Sequence, residues 1–222
     1  MVRPHHSIAG LNERFRPLAP AERIAAIYTC FPPETVMLTS SFATTSAYLL
    51  HLVSTIRPDQ EVLFIDTGYH FEETMVYKEY LTRIYQLKVR NIRAEEWKHE
   101  FTTQDATWKK DPDYCCFINK VEPLEPFRES HRVWISGLMR WQSDHRKTLD
   151  IFEERNGILK CYPLLDVTPE QREAYIKDHL LPFHPLQSRG YFSVGCRHCT
   201  VPGKEREGRW NNCPKTECGL HL

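Results

Sequence analysis

The feature that most limits the fold is an alternation. Short apolar runs are separated by longer stretches with helical spacing, and the order repeats along most of the chain. Thr35-Val-Met-Leu-Thr39 reads as a buried strand. Thr44 to Ile56 reads as a helix, with Ala47, Leu50, Val53 and Ser54 along one side. Glu61 to Ile65 is a second strand and Glu72 to Leu87 a second helix. Lys88 to Ile92, Arg132 to Ser136 and Ile158 to Tyr162 are further strands. Pro169 to His179 is a helix with Thr168 as its N-cap and proline at its first position. Strands alternating with helices predict an α/β fold with a doubly wound, mostly parallel sheet. Residues 1–33 form a helical lead-in, periodic from Ala19 to Tyr28 and stopped by Pro32-Pro33. One domain is expected over 1–222. Its last part, 183–222, is irregular and rich in Gly, Cys, Arg and His, and function is expected there.

Charge excludes one class. Lys+Arg and Asp+Glu are both 29, so there is no basic surplus to offset a nucleic-acid backbone, and any anion recognition must be local. No apolar run approaches a membrane span and the N-terminus has no signal-peptide core, so no membrane partner and a cytoplasmic location are expected. Eight cysteines in a reducing compartment argue for metal ligation or thiol chemistry before structural disulfides.

In sheets of this kind ligands sit beyond the carboxyl ends of the strands. Two segments fall there. Thr39-Ser-Ser-Phe-Ala-Thr-Thr45 joins a strand to a helix, and its hydroxyls and helix-start amides could cradle an anion. Asp66-Thr-Gly68 ends the next strand in a polar turn suited to a nucleoside. Taken alone, the first is also an ordinary cap and the second an ordinary turn.

Cys196-x-x-Cys199 can place two thiolates on one metal centre. Cys115-Cys116 is less usual. Adjacent cysteines do not readily pair with each other and reach one zinc ion only with strain, which favours two corners of a larger iron–sulfur group over a single zinc. The polar run Asp111-Pro-Asp-Tyr-Cys-Cys speaks against burial of the pair as small hydrophobes. Cys30 and Cys161 read as core. Cys218 lies between polar neighbours and Gly219 near the end of the chain, and reads as a reactive thiol on a mobile arm.

Together these pieces resemble the assimilatory adenylyl-sulfate/phosphoadenylyl-sulfate reductases from about residue 34 to the C-terminus. The resemblance is carried by Ser40-Ser-Phe42, Asp66 to Thr74, Cys115 to Leu124, Gly137-Leu-Met-Arg-Trp-Gln-Ser143 with Arg146, Gly195 to Thr200, Glu205 to Trp210 and Lys215 to His221. It implies a Rossmann-like, adenine-nucleotide-binding domain with a modified phosphate loop at Ser40 to Thr45, of which Ser40, Ser41 and Phe42 would contact the substrate. It implies that Asp66, Thr67, Gly68, Gly137 and Arg140 help hold the nucleotide. It further implies a [4Fe-4S] cluster on Cys115, Cys116, Cys196 and Cys199, with Lys120 between cluster and substrate. Arg146, Arg206 and Arg209 would bind the sulfate–phosphate end, Cys218 would be the nucleophile, and His221 would belong to the active-site tail. Thioredoxin or glutaredoxin is the implied electron donor. Whether the chain forms a homo-oligomer is left open.

The chemistry suits the residues. A thiol with a pKa of about 8.5 is only a few per cent ionised at neutral pH, and nearby cations favour the thiolate. Arginine forks also offset the charge of a sulfate–phosphate anhydride. Without the resemblance, Lys204 to Arg209 would read as a solvated charged loop.

The chain departs from the family pattern at several places, among them Glu72, where a proline is common, and a short stretch between Cys199 and Cys218. Met139 stands where many relatives carry arginine, and Cys213 is extra; five residues before Cys218, it could act as a resolving thiol. The cysteine pairs point to adenylyl sulfate as substrate, whereas Thr39 to Phe42 with Leu49 to Asp59 looks more like relatives that use the 3′-phosphorylated form. The competing class is a non-catalytic metal-binding redox sensor, which would have no need of the arginine set and the nucleotide loop together.

Overall fold

The computed structural model describes residues 7–210 and 215–220. Two helices open it, α1 (Ile8–Phe15) and α2 (Pro20–Cys30). Ser7 caps α1 by accepting from the Gly10 amide, and Pro20 starts α2 where no amide proton is needed. Arg23 fastens this pair to the rest of the protein. Its buried guanidinium donates to the carbonyls of Phe15, Arg16 and Pro163 and forks onto Asp166 at 2.5 and 2.7 Å. A buried charge is tolerable here because its donors find acceptors.

The chain then alternates through β1 (Val36–Thr39), α3 (Ser46–Ile56), β2 (Glu61–Ile65), α4 (Glu72–Ile84) and β3 (Lys88–Ile92). Four short helices follow, α5 (Glu96–Gln104), α6 (Thr107–Lys110), α7 (Pro112–Cys116) and α8 (Glu122–Ser130), with a π-helical turn at Phe117–Val121 between the last two. The remaining elements are β4 (Val133–Ile135), α9 (Asp144–Lys147), β5 (Phe152–Arg155), β6 (Ile158–Cys161) and α10 (Pro169–Asp178). The sheet order is β3-β2-β1-β4-β6-β5, parallel except for β5, which runs antiparallel to β6. The expected doubly wound, mostly parallel sheet is therefore present.

Both faces of the sheet are covered. Val36, Leu38, Phe64 and Ile135 pack with α1–α3, and Met37, Leu63 and Trp134 pack with Leu124 of α8 on the other face. Burial on both sides explains why these strands read as continuous apolar runs. Cys161 is fully buried and Cys30 packs against the same core, as expected.

Two regions differ from the sequence reading. β5 was not expected, because Phe-Glu-Glu-Arg carries one apolar residue. It forms because Asn12 of α1 exchanges two hydrogen bonds with the Phe152 backbone (2.8 and 3.0 Å) and Phe15 meets the Phe152 ring edge-on at 4.7 Å. The helices between 96 and 130 were also not expected. They are short, and α8 holds Pro126 inside it, so local periodicity is weak. Beyond residue 182 the described chain is irregular, as predicted, with 3-10 turns at Pro185–Arg189 and Arg197–Cys199. Among the described residues no helix is long and apolar enough to cross a membrane.

Candidate active site

The chain leaves β1 to one side through β2 and β3, then returns to the other side of β1 as β4. That reversal splays the loops following β1 and β4 and opens a crevice at their carboxyl ends. A cavity of about 260 Å³ lies there.

The loop after β1 forms one wall. Ser40, Ser41, Thr44 and Thr45 line it, and α3 begins without a side-chain cap, its Ser46 amide donating to the Ala43 carbonyl at 3.0 Å. Ser40 Oγ accepts from the Phe42 amide, Thr44 Oγ1 donates to the Phe192 carbonyl and Arg172 donates to the Thr44 carbonyl, so the loop is held from inside. Phe42 itself turns away. It has φ 49°, is fully buried and meets Phe64 edge-on at 5.6 Å, anchoring the loop rather than facing the cavity.

Asp66-Thr-Gly68 splits in the same way. Thr67 lines the cavity. Asp66 points back, accepting from the Gly68 amide at 3.0 Å and pairing with Arg93. Burial would raise its carboxyl, but the Arg93 hydrogen bonds and the Gly68 amide outweigh burial and hold it below the ordinary carboxylate range. Gly68 adopts φ +71°, and a Cβ there would lie 2.5 Å from His99, so this glycine is required by the turn. From β4, Gly137 reaches the cavity. Arg140 does not: it is exposed and donates to the Leu149 carbonyl. Met139, beside it, is fully buried in the core.

The remaining wall is cationic. Lys120, Arg146, Arg206 and Arg209 all line the cavity, as does Cys218. Arg206 and Arg209 are half-buried rather than part of a solvated loop, and both approach the Trp210 ring, at 5.6 and 4.3 Å. Gly195 admits Arg209, since a Cβ there would stand 2.3 Å from Arg209 Nη2. Burial, and then the neighbouring Arg146, push Arg206 down to about 10, with Glu217 opposing. Burial also lowers Lys120, but Cys196, Cys116 and Cys218 outweigh it and hold the ammonium above the ordinary lysine range.

The tail is docked rather than projecting as a free arm. Glu217 is completely buried, and its carboxylate accepts from Arg146 Nε and Nη2 at 2.8 Å each, from Ser143 Oγ at 2.7 Å and from Arg206 Nη2 at 3.1 Å. Burial alone would raise this carboxyl, but the Arg146 fork, Arg206 and Ser143 hold it below the ordinary range. Lys160 Nζ donates to the Leu220 carbonyl at 2.7 Å. His221 and Cys213 lie outside the described residues.

Behind Lys120 the two cysteine pairs come together. Cys115, Cys116, Cys196 and Cys199 line one small hollow with Tyr69 and Trp108. Cys115 and Cys116 are buried, contrary to the expectation from their polar neighbours, because α7 turns Asp111, Asp113 and Tyr114 outward and the thiols in. Donors approach the sulfurs: Lys120 Nζ lies 3.5 Å from Cys116, Thr67 Oγ1 3.4 Å from Cys196 and Asn119 Nδ2 3.8 Å from Cys115. Burial first, then the adjacent thiols, push Cys115 up to about 12 and Cys199 up to about 11. Among the described residues no three ligand side chains cluster around the position of a single ion. Consecutive helical residues diverge by about 100°, so Cys115 and Cys116 face different corners of any group they bind. A four-sulfur set with donors to its sulfurs fits a sulfur-ligated metal cluster.

The family described as phosphoadenosine phosphosulfate reductase domain matches residues 35–202. The chain belongs to this family. It is 38% identical over 200 residues to a protein named adenosine 5′-phosphosulfate reductase from Staphylococcus epidermidis, covering 84% of this chain and 81% of the relative. A protein of the same name from Halalkalibacterium halodurans is 40% identical over 182 residues, covering 78% of this chain and 79% of the relative. Among solved structures, phosphoadenylyl-sulfate reductase from Candida auris, in a phosphate complex, superposes with a TM-score of 0.76 at 26% identity, over 88% of this chain and 98% of that one.

Within this family frame, the residues that the motifs singled out divide in two. Ser40, Ser41, Thr67, Lys120, Gly137, Arg146, Arg206, Arg209 and Cys218 gather around one cavity, whereas Phe42, Asp66, Gly68 and Arg140 lie outside its lining. Three contributors were missed by sequence reasoning. Ser143, Trp210 and Glu217 all fall inside quoted motifs, but nothing local marks a glutamate beside a cysteine as buried between two arginines.

Proposed function

We propose that this chain reduces adenylyl sulfate to sulfite and AMP in sulfate assimilation, with thioredoxin or glutaredoxin as the dithiol donor. The observation that carries this reading is the convergence of Cys218 with Lys120, Arg206 and Arg209 on a cavity at the β1–β4 switch point. A redox sensor needs a thiol, but not three cations and an uncapped helix start facing it.

The loop from Ser40 to Thr45, at the N-terminal end of α3, takes the nucleotide's phosphate. Lys120 and Arg209 take the sulfonate, offsetting charge as the bond to AMP breaks. The Cys218 thiolate attacks the sulfur of the mixed anhydride. A sulfur–sulfur bond forms, the bond from sulfur to the phosphate oxygen breaks, and AMP leaves with that electron pair. Cys218 is left as S-sulfocysteine. A donor thiolate then attacks Cys218 Sγ, sulfite leaves with the electron pair, and the donor's second thiol closes a disulfide, freeing Cys218. Sulfur is reduced by two electrons and the dithiol supplies both.

Cys115, Cys116, Cys196 and Cys199 are the residues that would hold a [4Fe-4S] cluster. When bound, the cluster would supply structural order and a fixed charge next to Lys120. The cysteine pairs and the names of the curated relatives favour adenylyl sulfate over its 3′-phosphorylated form. The test is sulfite release by anaerobically purified protein given either nucleotide, with Cys218→Ser as control. Faster turnover of adenylyl sulfate, abolished in the variant, is the expected result. Preference for the phosphorylated form would overturn the substrate assignment, and sulfite from neither would sink the reductase reading.

A further inference from the structure

Glu217 is an unusual residue to bury near a chain end. It has no exposed side-chain surface, and a carboxylate is among the costlier groups to take out of water. An apolar residue would dock a tail at lower cost. The cost is met by four hydrogen bonds from three side chains, and none of these belongs to the tail. Ser143 and Arg146 stand at the start and in the body of α9, and Arg206 comes from the loop after the last cysteine pair. The edge of Arg146 formed by Nε and Nη2, which grips oxyanions two oxygens at a time, is taken by Glu217, and its Nη1 donates to Gln142. Lys120 and Arg209, in contrast, have no carboxylate partner among the described residues.

Cys218 follows Glu217 directly. On its other side a Cβ added at Gly219 would stand 3.2 Å from Val121 Cγ2, and the Leu220 carbonyl accepts from Lys160. The thiol is thus bracketed by two attachments, of which the glutamate is the stronger and the nearer.

We infer that Glu217 is a positioning residue that latches the tail onto Arg146, Arg206 and Ser143 and so holds the Cys218 sulfur at the cavity. While the tail is down, Arg146 serves this latch and the substrate's charge falls to Lys120 and Arg209. The inference rests on the reductase reading for its rate effect, but not for the docking itself.

The test compares wild type with the nearly isosteric Glu217→Gln, both as full-length protein purified anaerobically with its metal. Three quantities are read: the single-turnover rate of S-sulfonation of Cys218 at saturating adenylyl sulfate without dithiol, AMP affinity, and amide hydrogen exchange over residues 215–220. The expected result is a rate loss of roughly 10²-fold, since a misplaced nucleophile costs about that much, with AMP affinity kept within about threefold and faster exchange in the tail. An unchanged sulfonation rate, a change confined to AMP affinity, or a rate loss with unchanged tail exchange would each overturn the latch. If wild type forms no S-sulfocysteine, the reductase reading fails, and tail exchange alone judges the latch. Should Glu217→Gln fold poorly, Ser143→Ala removes one of the four bonds and is expected to slow sulfonation and speed tail exchange by less, again with AMP affinity kept.

Discussion

Replacing Gly195 by alanine tests the cationic wall without deleting any charge. An added Cβ would stand 2.3 Å from Arg209 Nη2, 2.5 Å from Cζ and 2.8 Å from Nη1. All three are the far end of a flexible side chain, so the guanidinium moves and the backbone stays. Leaving its place ends the stacking on Trp210 at 4.3 Å and the hydrogen bond to the Val194 carbonyl at 3.3 Å. Those losses are worth about 1–2 kcal/mol of folding stability. The functional loss is larger, because hydrogen bonds from a guanidinium to an oxyanion contribute about 1.5–3 kcal/mol, or roughly 10- to 150-fold in kcat/KM. The assay is kcat/KM for sulfite release from adenylyl sulfate, with iron content and melting temperature measured on the same preparation, since Cys196 is the next residue. Arg209→Ala should lose a similar factor, and the double variant little more than either alone. A Gly195→Ala protein with wild-type melting temperature, iron content and kcat/KM would refute the claim that Arg209 must sit over the cavity.

Two stability predictions follow from buried titrating groups. His184 is buried beside Thr74, and burial lowers it to about 4, so between pH 6.5 and 4 the unfolded chain binds more protons. Stability should therefore fall by about 3 kcal/mol across that window, and His184→Leu should flatten the urea-unfolding profile there; an unchanged slope would refute the assignment. Lys160 is buried over the Trp134 ring, and burial, with Arg155 and Arg128, lowers it to about 8. Below pH 8 it is charged in both folded and unfolded states and carries a cost of about 3 kcal/mol, so Lys160→Met should gain about 2 kcal/mol at pH 7 after losing the bond to Leu220. That gain should shrink as the pH rises from 8 to 10.5, and a destabilised variant at pH 7 would contradict it.

The elements legible in the chain are those whose stability is local. β1, β2 and β4 read as strands because burial on both faces demands apolar runs, and α10 read as a helix because Thr168 caps it and Pro169 opens it. β5 was not legible because the contacts that bury Phe152 come from far away in sequence, and α5 to α8 were not because they are short and α8 holds Pro126 inside it, so local periodicity is weak. Asn12 and Phe15 make a strand of Phe152–Arg155, and a Cys-Cys pair in polar company is buried only because α7 turns its thiols inward.

The same division runs through the site. Residue type and order by themselves singled out one thiol outside the core, two cysteine pairs and a set of arginines as the candidate groups, since the expected chemistries need those side chains and little else supplies them. Only the tertiary structure decided which of them meet. It sent Phe42 and Asp66 to anchor their loops and Arg140 to solvent, and it brought Ser143, Arg146 and Arg206 around Glu217. The physical reason is that a side chain's direction is set by backbone geometry and by neighbours many residues away. A motif can state which groups are present, but the packing of the sheet crevice settles which of them face the cavity.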